Sequence, residues 1–235
     1  LAALAEALTA AGRVSVIAPE RNWSASGHVK TMHKPLRATT AHVVDGVDAW
    51  STNCAPSDCV ALALLGFLDV PVDMVVSGIN PNANLGHDVT YSGTVTAAME
   101  AVIGGVPGIA VSVQGAEAHG YAPAAAAAVR LVRAVEAHGL PPRTLLNVNV
   151  PPLSEADIKG FQVTRMGLRA FTDPLVKRVD PAGRPYYWIG GDRPDDPPEP
   201  GTDLAALLGG YVSVTPLSLD LTATEALEPI AGWNM

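Results

Sequence analysis

The sequence predicts an α/β fold: a parallel sheet with helices on both faces, followed by an extended hairpin arm. Three observations carry this reading. Short apolar runs alternate with segments of helical spacing from Leu1 to Val150. Two of the runs, Met74-Val-Val76 and Ile109-Ala-Val-Ser-Val113, are apolar almost throughout, as strands buried on both sides are. After Pro152 the alternation gives way to strands separated by polar, Pro-rich stretches.

The elements follow in order. Leu1 to Ala11 suits a helix stopped by Gly12, and Val14–Ala18 a buried strand ended by Pro19. Glu20 to Thr40 is polar and reads as a long loop. A strand is expected near Asp48–Thr52. A helix over Pro56–Leu68 follows, with Pro56 at its start and Val60, Ala61, Leu64, Leu65 and Leu68 at helical spacing. Next come a strand at Asp73–Ile79, a loop at Asn80–Tyr91, a helix at Thr94–Gly104, a strand at Ile109–Val113, a long Ala-rich helix at Ala122–His138 and a strand at Leu145–Val150. Beyond Pro152, Phe161–Met166 and Pro185–Ile189 read as the two strands of the arm. Arg193–Pro200 reads as an exposed loop, Asp203–Leu208 as a short helix and Tyr211–Leu217 as a strand. The last helix, from Thr222 to Glu228, is expected to open on a Thr222/Glu225 capping box. Residues 1–152 form the expected core and 153–235 the arm and closing elements of the same domain. The chain opens inside a helix, so a leading strand and loop are expected upstream of Leu1.

Bulk properties narrow the function. Of 235 residues, 48% are hydrophobic and 16% charged, which is ample for a buried core. The net charge of −8, with no basic stretch, argues against general nucleic-acid binding. It leaves room for a small phosphorylated substrate, because an anion site needs only backbone N–H groups and a metal. No apolar run reaches the roughly 18 residues of a membrane span, and Leu1–Gly12 lacks a basic n-region and reads as a helix rather than a signal peptide, so a cytoplasmic location is expected. The two cysteines, Cys54 and Cys59, read as reduced thiols beside a strand-to-helix turn.

Signatures of P-loop, dinucleotide-binding and α/β-hydrolase sites are absent. Three strand-to-helix stretches hold the polar residues instead. In the richest, Val75–Glu100, Asn80, Asn82 and Asn84 precede Ser92-Gly93-Thr94, where a helix begins. Hydroxyls and free N–H groups at a helix start make an anion site, and Gly93 admits close approach of an oxygen. The same spacing also suits an ordinary N-cap and turn asparagines, so both readings stand. Ala18–His28 offers Ser24 and Ser26 as ligands or caps and His28 as an acid or a hydrogen-bonded surface residue, and Thr52–Cys59 offers Ser57 and Asp58 as helix-dipole residues or substrate contacts.

The motifs APERNWSASGH, NCAPSDC, VVSGIN…NLG…YSGTVTAAME, NVNVP…IKGFQVTR and GYVSVTPLSLDLT, spread over nearly the whole chain, resemble the SurE family of survival-protein nucleotidases. The resemblance implies a Rossmann-like three-layer core with a protruding C-terminal arm exchanged between subunits, in a homodimer or homotetramer. It implies a phosphomonoesterase that uses Mg²⁺ or Mn²⁺ to hydrolyse nucleoside 5′- and 3′-monophosphates and short polyphosphate. Residue by residue, Ser24 and Asn80 match metal ligands, Ser92, Gly93 and Thr94 match the phosphate-contacting helix start, and Asn84 lies in the same loop. Asn80 and Ser92 are thereby the expected catalytic residues. The family's other two ligands are adjacent aspartates in an Asn-Asp-Asp-Gly turn, which this sequence does not contain, so the 235-residue chain is expected to be weakly active or inactive. A second departure is Pro81-Asn82, where many relatives carry glycine at the second position. The rival reading is a non-enzymatic phosphate- or nucleotide-binding module.

Overall fold

Strand pairing divides the expected sheet in two. The computed structural model describes residues 1–167, 175–189 and 198–233. The smaller sheet holds β1 (Ser15–Pro19), β3 (Asp48–Thr52) and β2 (Ala38–Ala41) in that order, with β1 parallel and β2 antiparallel to β3. The larger holds β4 (Val75–Asn80), β5 (Gly108–Val113), β6 (Thr144–Val150), β10 (Val212–Ser218) and β7 (Phe161–Val163). Its first three strands are parallel, as expected. The fourth, β10, runs antiparallel to β6 and parallel to β7, so the sheet is mixed.

Helices cover both faces, and the strands show why. In β5, Ile109, Val111 and Val113 point to one side with β6 residues Val148 and Val150, against α5 (Ala122–His138) and Leu4 of α1 (Ala2–Leu8). Ala110 points to the other side, against Val95 and Ala98 of α3 (Gly93–Ile103). Every residue of β5 is buried, the pattern that its unbroken apolar run implied. The alanines Ala124, Ala125, Ala127 and Ala128 are the buried face of α5, and their small side chains bring it close to the sheet. Gly108 does the same for α3: a Cβ there would lie 2.3 Å from the Ala98 carbonyl oxygen.

Several sequence expectations are corrected. The polar stretch to Thr40 contains β2, an edge strand of four residues. The helix begun at Pro56 is α-helical only to Leu62 (α2) and widens into a π turn at Ala63–Phe67, where Gly66 has φ +98°. A short helix, α4 (Ala116–His119), precedes α5. The arm hairpin pairs β8 (Leu175–Val179) with β9 (Pro185–Ile189), and Phe161–Val163 belongs to the main sheet instead. After α6 (Asp203–Leu208) and β10, α7 (Thr224–Ala231) starts two residues later than expected and has no side-chain cap, so the Thr222/Glu225 box does not form. Most of the Arg193–Pro200 loop lies outside the described residues. Among the described residues, no helix is long and apolar enough to cross a membrane.

The two sheets face each other across a cavity of about 760 Å³. All of β1 and all of β4 line it, and each strand is the outermost of its sheet. Leu4, Leu8, Val60 and Ala97 close its sides. Its lining also includes Pro19, Asn80 and Thr94, where two strands end and α3 begins.

Candidate functional site

The three polar stretches converge on the start of α3. Ser92 caps the helix, its Oγ accepting from Val95 N–H at 3.2 Å. The N–H groups of Gly93 and Thr94 have no partner within the helix and carry its positive end. The Trp23–Ser26 turn lies over Gly93. A Cβ on Gly93 would meet Trp23 O at 3.5 Å, Ser26 Oγ at 3.7 Å and Pro56 Cγ of α2 at 3.1 Å. Any side chain here would crowd all three. Asn80 and Thr94 share the cavity described above. Asn80 Nδ2 donates to Asn82 O at 2.5 Å, which leaves its Oδ1 as the oxygen to offer a ligand.

Ser24 is placed differently from the others. It is exposed, and its N–H and Oγ–H both donate to Asn22 Oδ1, at 2.8 and 2.7 Å. No hydrogen bond joins it to Asn80. Asn84 is buried, with its N–H donating to Asn149 Oδ1 at 2.8 Å and its Nδ2 to Ser112 Oγ at 2.7 Å. The side-chain amides of Asn147 and Asn149 both donate to its carbonyl, at 2.9 and 3.0 Å. Ser57 and Asp58 take the local roles left open by the sequence. Ser57 Oγ donates to Val29 O, and the Asp58 carboxylate accepts from Ala55 N–H at the start of α2 and from Thr31 N–H.

The Ser24, Val29 and Thr31 contacts belong to a strap formed by residues 22–34. Gly27 N–H donates to Tyr91 O at 3.0 Å and Thr96 Oγ1 donates to Gly27 O at 3.2 Å, which tie the strap to both sides of Ser92. Farther on, Glu100 of α3 accepts from Lys30 Nζ at 2.8 Å and lies 3.0 Å from His28 Nε2. The sequence did not point to Glu100. Burial pushes its carboxyl up, but hydrogen bonds and charge from Lys30 and His28 outweigh burial and hold it below its ordinary value of 4.5. The same pair raises Lys30 above its ordinary 10.5.

The linkage signs give a pH window. A depressed Glu100 contributes stability above pH 4.5 that is lost as the pH falls through its folded value. A raised Lys30 contributes fully below 10.5 and loses this as the pH rises through its folded value. We expect Glu100→Gln to cost about 1–2 kcal/mol near neutral pH, since charge-assisted bonds are strong but Lys30 is open to solvent. Urea denaturation checks it: wild type and variant should converge in acid, and a gap that persists there would count against the ion pair.

Cys54 and Cys59 are free and buried, their sulfurs 3.8 Å apart around Thr52 Oγ1. Burial first, with the neighbouring Cys54 and Asp58, pushes the Cys59 thiol up to about 12 despite a hydrogen bond with Thr52. It is therefore a protonated packing group rather than a nucleophile.

As for a metal, Asn80 and Ser24 supply hard neutral oxygens of the kind Mg²⁺ and Mn²⁺ accept. Two neutral donors do not by themselves fit such an ion. Among the described residues, no group of three or more His, Cys, Asp or Glu side chains is arranged to hold one.

The chain is similar to known proteins over most of its length. The family described as Survival protein SurE matches residues 1–173. A 5′-nucleotidase SurE from Chloroflexus aggregans is 50% identical over the whole chain and 93% of its own length. One from Herpetosiphon aurantiacus is 48% identical over 95% of the chain and 89% of its length. Among solved structures, the SurE protein from Aquifex aeolicus superposes with a TM-score of 0.85 at 44% identity, covering 97% of this chain and 91% of that one.

Proposed function

We propose, because the chain belongs to the SurE family, that the start of α3 seats the phosphoryl group of a nucleoside monophosphate and that the protein hydrolyses its phosphate ester. It is an enzyme of the phosphoric monoester hydrolase class, as relatives matching nearly its full length are named 5′-nucleotidases. One observation carries the siting: the first-turn N–H groups of Gly93 and Thr94 have no partner within α3, and Thr94 lines the same cavity as Asn80. A phosphoryl group there would place two oxygens on those amides. The Ser92 hydroxyl, whose oxygen is engaged by Val95, would direct its proton to a third. Such donors, fixed before the substrate arrives, favour the charge that builds on the phosphoryl oxygens during transfer.

A divalent cation, Mg²⁺ or Mn²⁺, completes the proposal, with Asn80 Oδ1 and Ser24 Oγ as neutral ligands. Once held by added carboxylates as well, such an ion would neutralise charge on the phosphoryl oxygens. Its negative ligands would be carboxylates other than those of the described residues, and the cavity supports one route for them. Two strand edges with free backbone groups face one another there, and one apolar strand laid between them would join both sheets. The turn leaving that strand would emerge by Asn80 and Thr94, where carboxylates are needed. Activity on 3′-monophosphates and short polyphosphate is part of the proposal, as is a cytoplasmic setting. So is a homodimer or homotetramer with exchanged arms. Supporting the last, β8 and β9 expose Leu175, Val179, Tyr187, Trp188 and Ile189 away from the core.

The test is phosphate release from AMP and GMP with Mn²⁺ or Mg²⁺, with and without Gly93→Val, in a chain carrying that added strand and its carboxylates. We expect Gly93→Val to lower kcat/KM about 100-fold or more, the scale for losing preorganised oxyanion donors. Equal rates would move the phosphate seat elsewhere. Binding without any release would favour a binding module.

A further inference from the structure

The loop between β4 and α3 joins Asn80, at the end of β4, to Ser92, Gly93 and Thr94 at the start of α3; a 3-10 turn over Gly86–Thr90 holds its second half. The loop's other fixed points come from remote parts of the chain. Asn149 forms a two-point clasp on the Asn84 peptide, accepting its N–H and donating to its carbonyl. Asp203, at the first position of α6, accepts from Gly86 N–H at 2.8 Å through Oδ2. Its other oxygen accepts from Gly167 N–H at 2.9 Å and from its own neighbour Leu204 N–H at 2.8 Å. Asp203 is fully buried, and no cation pairs with it among the described residues. A buried carboxylate satisfied only by backbone N–H groups is costly and stays where its geometry is needed.

Gly167 lies at the root of the arm, four residues after β7 and eight before β8 begins at Leu175. The same carboxylate therefore grips the site loop with one oxygen and the arm root with the other. The arm root is held a second time there, as Asp203 N–H donates to Arg165 O and Arg165 N–H to Gly201 O.

We propose that Asp203 is a positioning residue: through Gly86 it sets the loop that carries Asn84 and links Asn80 to Ser92, and it makes that loop's position depend on where the arm root meets the core. It does not touch the phosphoryl group; it acts through the Gly86 amide. The inference rests on the phosphatase reading for its catalytic consequence, but not for the mechanical link itself.

Two variants test it. Asp203→Asn keeps the shape but turns an amide N–H toward one of the backbone donors. Gly167→Ala leaves Asp203 in place and presses on it from the arm side, since the new Cβ would sit 3.2 Å from Oδ1. The primary reading is amide hydrogen exchange on the full chain under conditions where both variants are folded. Exchange at Gly86 should quicken about tenfold in Asp203→Asn, the worth of one bond to a charged acceptor, and measurably in Gly167→Ala, with β5 amides unchanged. In a chain carrying the added strand described above, kcat for AMP should fall while KM holds.

A purely structural Asp203 would lower the melting temperature and leave Gly86 exchange and kcat of the folded protein as in wild type, which overturns the proposal. If Asp203→Asn does not fold, Gly167→Ala decides alone: unchanged exchange at Gly86 refutes the link. Altered exchange in a protein that releases no phosphate in any form would keep the link and sink the phosphatase reading.

Discussion

A chain extended at its N-terminus by an apolar strand ending in an Asn-Asp-Asp-Gly turn should hydrolyse AMP at least about 100-fold faster than the 235 residues alone. Two effects combine. The strand would bury its side chains against Leu4, Leu8, Val60 and Ala97 and would pair with β1 and β4, whose facing edges now have no ladder. Its turn would bring two carboxylates to the neutral oxygens of Asn80 and Ser24, which cannot hold Mg²⁺ without charge. Losing a main source of transition-state charge stabilisation costs two to three orders of magnitude in well-studied sites, which sets the expected size. Stability should rise too. A net gain of about 2 kcal/mol corresponds to roughly 4–8 °C in melting temperature for a domain of this size. Phosphate release and thermal unfolding, measured on both chains, separate the outcomes. Activity and Tm rising together support the slot. A Tm rise without activity would mean that the strand docks but the aspartates miss the site. Equal rates would show that the carboxylates are supplied otherwise.

The second large effect is expected at Gly78→Ala. Gly78 sits two residues before Asn80 with φ +133°, a backbone conformation that L side chains rarely adopt. A Cβ there would lie 2.3 Å from the carbonyl oxygen of Val111, the strand partner of Gly78. Backbone cannot rotate out of the way as a flexible side chain can. The variant must therefore part β4 from β5 or twist the strand end, at a cost of about 3 kcal/mol or more. Urea denaturation reads the stability, and the site reads it a second way, since the same shift would displace Asn80. A cost below about 1 kcal/mol would show that β4 yields locally, and the argument for a rigid strand end would fall.

How far the sequence carries can be judged from particular residues. The apolar runs of β4 and β5 announced parallel strands, and the Ser92-Gly93-Thr94 start of α3 was legible as a helix start with a cap. Pairing was harder. Phe161–Val163 and Leu175–Val179 are both short and strand-like, and nothing local says which of them pairs with Pro185–Ile189. Register and partner are fixed by contacts across tens of residues. β2 escaped notice because Ala38-Thr-Thr-Ala41 is a half-exposed edge with no apolar alternation. Asp203 read as an ordinary helix start because its two roles depend on Gly86 and Gly167, far away in sequence. Asn147-Val-Asn149 did leave a trace: two asparagines at strand spacing inside an apolar run mark one buried polar face. Glu100, in the middle of a helix, left none, since its partners Lys30 and His28 sit in a loop with no periodicity.

The placement of β10 bears on the order in which the protein can assemble during synthesis. That strand separates β6 from β7, pairing Ser213 with Asn149 on one side and with Gln162 on the other. The bond from Asp203 to Gly86 spans 117 residues. The nascent chain therefore makes the stretches around Ser24, Asn80 and Ser92 first, while the strand that completes the sheet and the carboxylate that steadies the loop leave the ribosome later. Contacts of such long sequence separation form slowly and keep sheet edges open meanwhile. A prematurely terminated product would contain every recognisable motif up to Val150 and still lack the frame that aligns them.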